Sequence, residues 1–351
     1  MPISNNTPAK AGKVLTIVVP AYNSEEFLEN CLDSLVGAGS ALEVLVVNDG
    51  SKDSTLQIAQ GYESRYPDVV KVVDQENRGW GGAISHGIEL ASGEFFFVVD
   101  SDDRLDTEVL KGVLSVLQHT MDTGAPLDLL VTNYVYDHIE DGSSHTICYR
   151  NIFPSGRLFG WNEVVNKPKI DEYLMIHAMT YRTELVRQYI GELPQHVSYM
   201  DSLLCLRPLA HTSTILYLDV DLYYYRIGRE GQTIDVNVIQ KHMDEQYLAV
   251  RLAIESVDYA DLASKGRGLA VCASRYLSAM LTVSCIYTYK LKDPDELTKL
   301  EELWDYLKGK DPQMYDALKF TFARMVHRHT APGRSTSLGG YTLASKIFKF
   351  A

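Results

Sequence analysis

The chain has 351 residues, 46% hydrophobic and 23% charged, which supplies a full apolar core and excludes disordered, collagen-like and fibrous classes. Its 33 basic and 46 acidic residues leave a net charge of −13, which argues against non-specific adhesion to nucleic acid, so no nucleic-acid partner is expected. The five cysteines (Cys31, Cys148, Cys205, Cys272 and Cys285) are scattered and form no C-x-x-C pair. They suggest neither a disulfide framework nor a zinc site, and point to a reducing cytoplasm.

Met1 to Gly12 is polar and small with no apolar run, which predicts a disordered start and no secretory signal. From Val14 onward, short apolar runs alternate with helical patterns, the signature of βα units and a mostly parallel sheet. Val14 to Val19 reads as a buried strand ended by Pro20, followed by a helix with Ser24 as N-cap and Phe27, Cys31 and Leu35 on its apolar side. Glu43 to Asn48 is a second strand, then the Asp49-Gly50-Ser51 turn and a helix through Leu56, Ile58 and Ala59. Val69 to Val73 is a third strand, Gly79 to Leu90 a helix, and Phe95 to Val99 a fourth strand running into Asp100-Ser101-Asp102-Asp103.

Leu127 to Asn133 predicts a further strand, after which the pattern loosens, with a hairpin signal at Asp141-Gly142. Beyond Val238 only helical periodicity remains, with Tyr247, Val250, Ala253 and Ile254 on one face and Leu300, Leu303, Trp304 and Leu307 on another. Leu269 to Tyr289 comes nearest to a membrane span, but Arg275 and several hydroxyl residues interrupt it and favour a buried helix. Thr330 to Gly340, rich in Ser, Thr and Gly, predicts a flexible stretch.

In open α/β sheets, ligands sit beyond the carboxyl ends of the strands. Three such ends are polar beyond what packing needs: Pro20 to Asn23, Asn48 to Ser51 and Asp100 to Asp103. Each alone also reads as a turn or a helix cap. The three carboxylates of Asp100, Asp102 and Asp103 repel one another, and a divalent cation would remove that penalty. Magnesium or manganese, bound through one or two carboxylates and a diphosphate, suits the arrangement and would let an acidic protein hold a polyanion.

The segments Val18-Val19-Pro20-Ala21-Tyr22-Asn23, Val46 to Thr55, Asn77-Arg78-Gly79, Ala91-Ser92-Gly93-Glu94 and Asp100-Ser101-Asp102-Asp103 resemble, in order and spacing, the successive motifs of family 2 glycosyltransferases of bacterial type. The resemblance spans roughly residues 14 to 106 and implies an α/β GT-A nucleotide-sugar-binding fold, a mostly parallel central sheet flanked by helices. It divides the chain into a catalytic domain over 13–235, with a nucleotide-binding half at 13–106 and an acceptor half at 107–235, and a helical C-terminal region over 236–351. It implies a nucleotide-sugar donor, expected to be a UDP-sugar, held by Pro20, Tyr22, Asn23, Asp49, Ser51, Asn77, Gly79, Asp100, Ser101 and Arg226. Asp49 would accept from a ring N–H of the base, and Asp102 with Asp100 would hold Mn2+ or Mg2+ on the diphosphate. Asp103 instead reads as the cap of a helix over Leu105 to Val116.

Family members often carry an acidic pair that supplies the general base for the acceptor. The matching segment here is Tyr199-Met200-Asp201, with Met200 in place of the first acid, so Asp201 is the expected base and a helix N-cap is the alternative. The run Gly79 to Gly87 departs from the family, with Ile84 and Ser85 where many members have Arg-Asn. Its glycines would let a sugar or phosphate approach the backbone, and Trp80 reads either as a pyranose platform or as core. Tyr22 reads as a ligand contact or a capped core aromatic, His86 as a surface histidine, and Arg226 with Arg229 as a diphosphate clamp or an exposed pair.

The expected reaction is a metal-dependent inverting transfer to a hydroxyl of a glycan, glycolipid or glycoprotein. A degenerate, partner-binding relative and a sugar nucleotidyltransferase are the alternatives. A dinucleotide-dependent oxidoreductase is rejected because Ala21-Tyr22-Asn23-Ser24 stands where G-x-G-x-x-G belongs. The C-terminal stretch with Arg324, His327, Arg328, His329 and Lys346 to Phe350 reads either as a helix packed on the catalytic domain or a second subunit, or as a peripheral contact with the inner membrane face.

Overall fold

The computed structural model describes residues 12–138, 142–164, 173–228 and 241–348, the last six of these by backbone alone. Continuous apolar runs become strands buried on both faces: β1 (Leu15–Ala21), β2 (Leu42–Asp49) and β4 (Phe95–Val98) have no exposed residue. Between them lie α1 (Leu28–Val36), α2 (Thr55–Arg65), β3 (Val70–Gln75) and α3 (Gly79–Leu90). Then follow β5 (Arg104–Leu105), α4 (Thr107–Thr123), β6 (Leu129–His138), β7 (Ser144–Ile147), β8 (Leu158–Phe159), β9 (Met179–Arg182), α5 (Thr183–Tyr189), α6 (Asp201–Leu209) and β10 (Ile215–Ile227). The ten described strands form one mixed sheet in the order β3-β2-β1-β4-β9-β6-β10-β5, with β7 on β6 and β8 on β10. β1 pairs in parallel with both β2 and β4, so strand order reverses around it and opens a crevice at the carboxyl ends of β1, β2 and β4.

Several local expectations are corrected. Strand β1 continues through Pro20 to Ala21, because its pairing with β4 stops at Val18 and the missing proline N–H costs no bond there. Helix α1 starts at Leu28 rather than after Ser24, with Phe27 as N-cap and Leu28, Cys31, Leu32 and Leu35 buried. Ser24 is not a side-chain cap: its hydroxyl bonds Ser101 Oγ at 2.7 Å. The cap of α4 is Asp106, accepting from the N–H groups of Glu108 and Val109, and Asp103 is not a cap. Gly142 has φ +66° and closes the β6–β7 turn; Asp141 lies outside the described residues.

The C-terminal region is helical throughout its described length: α7 (Met243–Glu255), α8 (Tyr259–Lys265), α9 (Arg267–Leu291), α10 (Pro294–Lys310), α11 (Pro312–Ala317), α12 (Phe322–Val326) and α13 (Ala331–Phe348). The stretch expected to be flexible is therefore helix, tied back by Ser337 Oγ–H to the Val326 carbonyl at 2.9 Å. Among the described residues α9 alone is long and apolar enough to cross a membrane, and 78% of that apolar window is buried inside the protein. Burial is arranged by close approach: a Cβ on Gly268 would lie 2.4 Å from Val164 Cβ, so only glycine lets α9 reach the sheet domain's Trp161–Val164 segment. One continuous core runs from Val14 to Val326, and the helical region belongs to it.

Glu43 pins the far end of the sheet. It is fully buried in β2 and accepts from Thr16 Oγ1 (2.6 Å), Lys71 Nζ (2.6 Å), and Ser92 N and Oγ (2.7 Å each). Burial pushes its carboxyl up, yet the bonds from Lys71, Thr16 and Ser92 outweigh this and leave it below the usual range. Its stabilisation is thus complete above the unfolded-state glutamate value of about 4.3 and disappears as pH falls through the lower folded value. Glu43→Gln should cost about 3 kcal/mol at pH 7 by denaturant unfolding, and the gap to the parent should narrow progressively below about pH 4. A gap that widens on acidification would contradict this account.

Candidate active site

The loops after β1 and β2 brace each other. Asn23, at φ +50°, accepts Lys52 N–H on Oδ1 at 2.8 Å and donates its own N–H to Ser51 Oγ at 3.1 Å. Ser24 N–H donates to Thr55 Oγ1 at 2.7 Å. This leaves Tyr22 52% exposed beside the crevice, so it is not a capped core aromatic. Asp49, at the end of β2, is buried, and its Oδ1 accepts from Gln75 Nε2 at 2.7 Å and Arg78 N at 2.8 Å. Asn77 bridges the same corner, donating to the Asp49 carbonyl at 2.9 Å and accepting Gly79 N–H at 3.3 Å.

The glycine run of α3 does a different job from the one expected. A Cβ on Gly81 would stand 2.4 Å from the Pro194 carbonyl oxygen, and one on Gly87 2.5 Å from Val18, so these glycines admit protein and not a sugar or phosphate. Gly79, at φ +72°, packs on the backbone of His196, whose N–H bonds the Arg78 carbonyl at 3.1 Å. Trp80 is half-buried and donates its indole N–H to Asp100 Oδ1 at 3.1 Å, which makes it a carboxylate partner. His86 is half-buried and bonded to Gln75 Oε1 at 2.7 Å.

Beyond β4 the chain gathers acid. Burial first, and then the charge of Asp102, pushes the Asp100 carboxyl up to about 7. Asp103 is driven well above the ordinary range by burial and by the charges of Asp102 and Asp100. Both Asp103 oxygens are engaged, Oδ2 by Tyr223 O–H at 2.5 Å and Oδ1 by Arg226 N–H at 2.8 Å, and Tyr223 in turn accepts Asp100 N–H at 3.2 Å. Asp103 thereby fixes the end of β10 and the backbone of Arg226, whose guanidinium lies 5.5 Å from the Phe27 ring centre. Ser101 is held by Ser24. Arg229 lies outside the described residues.

His177, in the turn before β9, joins this group unannounced by any sequence pattern. One ring nitrogen lies within 4.8 Å of carboxylate oxygens of Asp100 and Asp103, while its Nδ1 is buried without a hydrogen-bond partner. The ring stacks on Tyr223 at 4.5 Å and lies against Tyr225 at 4.6 Å, and burial pushes its pKa down to about 3, so it is neutral. A neutral imidazole beside carboxylates is a donor set that a divalent cation accepts.

Asp201 opens α6, preceded by a loop with left-handed backbone at His196 (φ +54°) and Tyr199 (φ +65°). Conformations of this kind persist only when their surroundings hold them. Here Ser198 N–H bonds Glu245 of α7 at 2.7 Å, and the Tyr199 carbonyl accepts from Ser202 Oγ–H at 2.8 Å. Met200 is the N-cap position and is buried, and its side chain caps nothing. Burial raises the Asp201 carboxyl, opposed by the Ser202 N–H and by the Tyr276 hydroxyl of α9 at 3.5 Å. Its charge is also felt at Asp100, so the expected base lies within electrostatic reach of the carboxylates after β4.

A sequence model described as Glycosyl transferase family 2 matches residues 16–177. The chain is 28% identical over 230 residues to the putative glycosyltransferase EpsH of Bacillus subtilis, covering 61% of this chain and 60% of that protein. It is 26% identical over 341 residues to the poly(ribitol-phosphate) beta-N-acetylglucosaminyltransferase TarS of Staphylococcus aureus, covering 95% of this chain and 55% of that protein. The chain thus spans about three fifths or less of the length of these curated relatives. A crystal structure of S. aureus TarS 1-349 in complex with UDP-GlcNAc superposes with a TM-score of 0.63 at 21% identity, covering 94% of this chain and 92% of that one. Residues 16–177 thus match glycosyl transferase family 2, and the sheet with its flanking helices has the GT-A fold seen in TarS.

Proposed function

We propose that this chain is a metal-dependent inverting glycosyltransferase that moves a sugar from a UDP-sugar to a hydroxyl of a glycan, glycolipid or glycoprotein, with Asp201 as general base. The observation that supports the reading is the electrostatic reach between Asp201 and Asp100: a proton acceptor at the start of α6 lies near acid, after β4, suited to a metal-bound diphosphate. The solved complex of TarS with UDP-GlcNAc supports a uridine donor. In this reading the base lies by the Tyr22–Asn23 loop, with a ring N–H on Oδ2 of Asp49, and Asn77 and Gly79 keep that wall in place.

Asp102 and Asp100, backed by Asp103 and His177, are the residues that would hold Mn2+ or Mg2+. Such an ion would supply charge neutralisation of the departing diphosphate. The chain's own residues do the rest. Arg226, aimed by the Asp103 bond to its N–H, adds positive charge on the same side. Asp201 takes the acceptor hydroxyl proton as the new oxygen–carbon bond forms at the anomeric centre. The carbon–oxygen bond to the diphosphate breaks with its electron pair leaving on the nucleotide, and the centre inverts.

Incubation of the intact chain with UDP-GlcNAc, UDP-glucose and other nucleotide sugars, with and without Mn2+, should give metal-dependent UDP release from one donor. Asp102→Ala should abolish the metal dependence, and Asp201→Asn should lower kcat by about 10²- to 10⁴-fold with donor binding retained. Absence of turnover and of metal-dependent nucleotide binding with every donor would favour a degenerate, partner-binding relative.

The pH profile supplies a second check. A base works ionised, and burial raises Asp201, so the acidic limb of log kcat/KM should inflect above the ordinary aspartate value of about 3.9, with rate lost as pH falls through it. Tyr276→Phe removes a donor to the ionised form and should move the inflection to higher pH. A downward shift would argue against Asp201 as the titrating group.

A further inference from the structure

A second group of metal-binding side chains lies in the helical region, on elements that contribute nothing to the crevice. Glu301 projects from α10, and His327 and His329 flank Arg328 in the connection from α12 to α13. His327 Nε2 stands 3.2 Å from each Glu301 oxygen, and His329 Nδ1 stands 3.3 Å from Oε2. Charge-assisted hydrogen bonds are shorter, about 2.7–2.9 Å, and the His242–Glu245 pair of this chain closes to 2.6 Å. With bonds of about 2.0–2.1 Å, donors around a tetrahedral zinc stand about 3.3 Å apart. The spacing is that of a ligand set.

The scaffold holds this set before any ion arrives. His327 is buried and stacks on the Trp304 indole, ring centres 4.5 Å apart and 7° from parallel, which fixes its plane. It ends α12 in extended conformation (φ −65°, ψ 111°), and alternate residues of an extended chain share a face, so His-x-His presents both rings to Glu301. Between them, Arg328 N–H donates to Tyr289 Oη at 2.8 Å and its carbonyl accepts the same hydroxyl at 3.3 Å, tying the connection to α9. The charge of Arg324 reaches His327, and its guanidinium is held over the Tyr315 ring at 4.6 Å.

We propose that Glu301, His327 and His329 form a second cation site of zinc class, separate from the site of transfer, that staples α10 to the α12–α13 connection. Two imidazoles and one carboxylate favour zinc and its borderline neighbours over magnesium or calcium, which prefer all-oxygen shells. His329 is exposed and Glu301 half-exposed, so the fourth position faces solvent and takes water.

The test is titration of the chelator-stripped full chain with Co2+, followed by displacement with Zn2+. Asp102→Asn serves as background to remove binding in the crevice. One equivalent should give the visible absorption of cobalt at low coordination number, and Zn2+ should abolish it and raise Tm. His329→Ala, at an exposed position that leaves the core intact, and Glu301→Gln should each weaken binding by at least about 100-fold and remove the Tm shift. Binding unchanged in both variants, or no binding up to millimolar Zn2+ in the parent, would overturn the proposal.

Discussion

Carboxylates held out of water, close to one another, constrain everything at the mouth of the crevice. Two unit charges about 4 Å apart at an effective dielectric of about 20 repel by about 4 kcal/mol, and burial adds its own cost. The chain answers with donors drawn from distant segments: the Trp80 indole from α3, the Tyr223 hydroxyl and Arg226 N–H from β10, and the Tyr276 hydroxyl from α9. Each requires its element to arrive at one place. Strand β10 must lie beside β6 in parallel and β5 in antiparallel register for Tyr223 to reach Asp103. Helix α9 must come close enough to the sheet domain for Gly266 and Gly268 to touch Trp161 and Val164.

This explains why the helical region shares the core of the α/β region. Glu245 of α7 holds the loop before Asp201, and Tyr276 of α9 touches the carboxylate itself. The backing of Asp201 therefore comes from α7 and α9 as well as from its own helix.

What could be read from the chain follows from how local each cause is. Buried parallel strands need no partner information to be recognised, because both faces are apolar, and β1, β2 and β4 were legible for that reason. The strand ends stood out because polar residues there break continuous apolar runs, although the bonds that hold Asp49 and Asp103 come from distant segments. Asp103 and Asp106 both precede an apolar helical pattern, and what separates them is Tyr223, 120 residues away. His177 sits in an irregular stretch with no periodicity, so its place beside Asp100 follows from sheet closure alone. The Ser/Thr/Gly stretch that opens α13 is helix, tied down by a tertiary anchor at Ser337 that composition does not encode.

The departure at Met200 follows from the same constraint. Position 200 points into the core, 1% exposed, under the left-handed turn at Tyr199. An acid there would be desolvated and beside Asp201, adding one more like charge near Asp100, already raised to about 7, and Asp103, driven well above the ordinary carboxylate range by burial and its neighbours. It would either be held neutral itself or raise Asp201 further out of the ionised form, and neither suits the base proposed for Asp201. Methionine fills the buried position without charge, and its flexible, polarizable side chain suits an irregular core site. A single carboxylate at 201, raised by burial and tempered by the Ser202 N–H and the Tyr276 hydroxyl, is the arrangement this geometry can support.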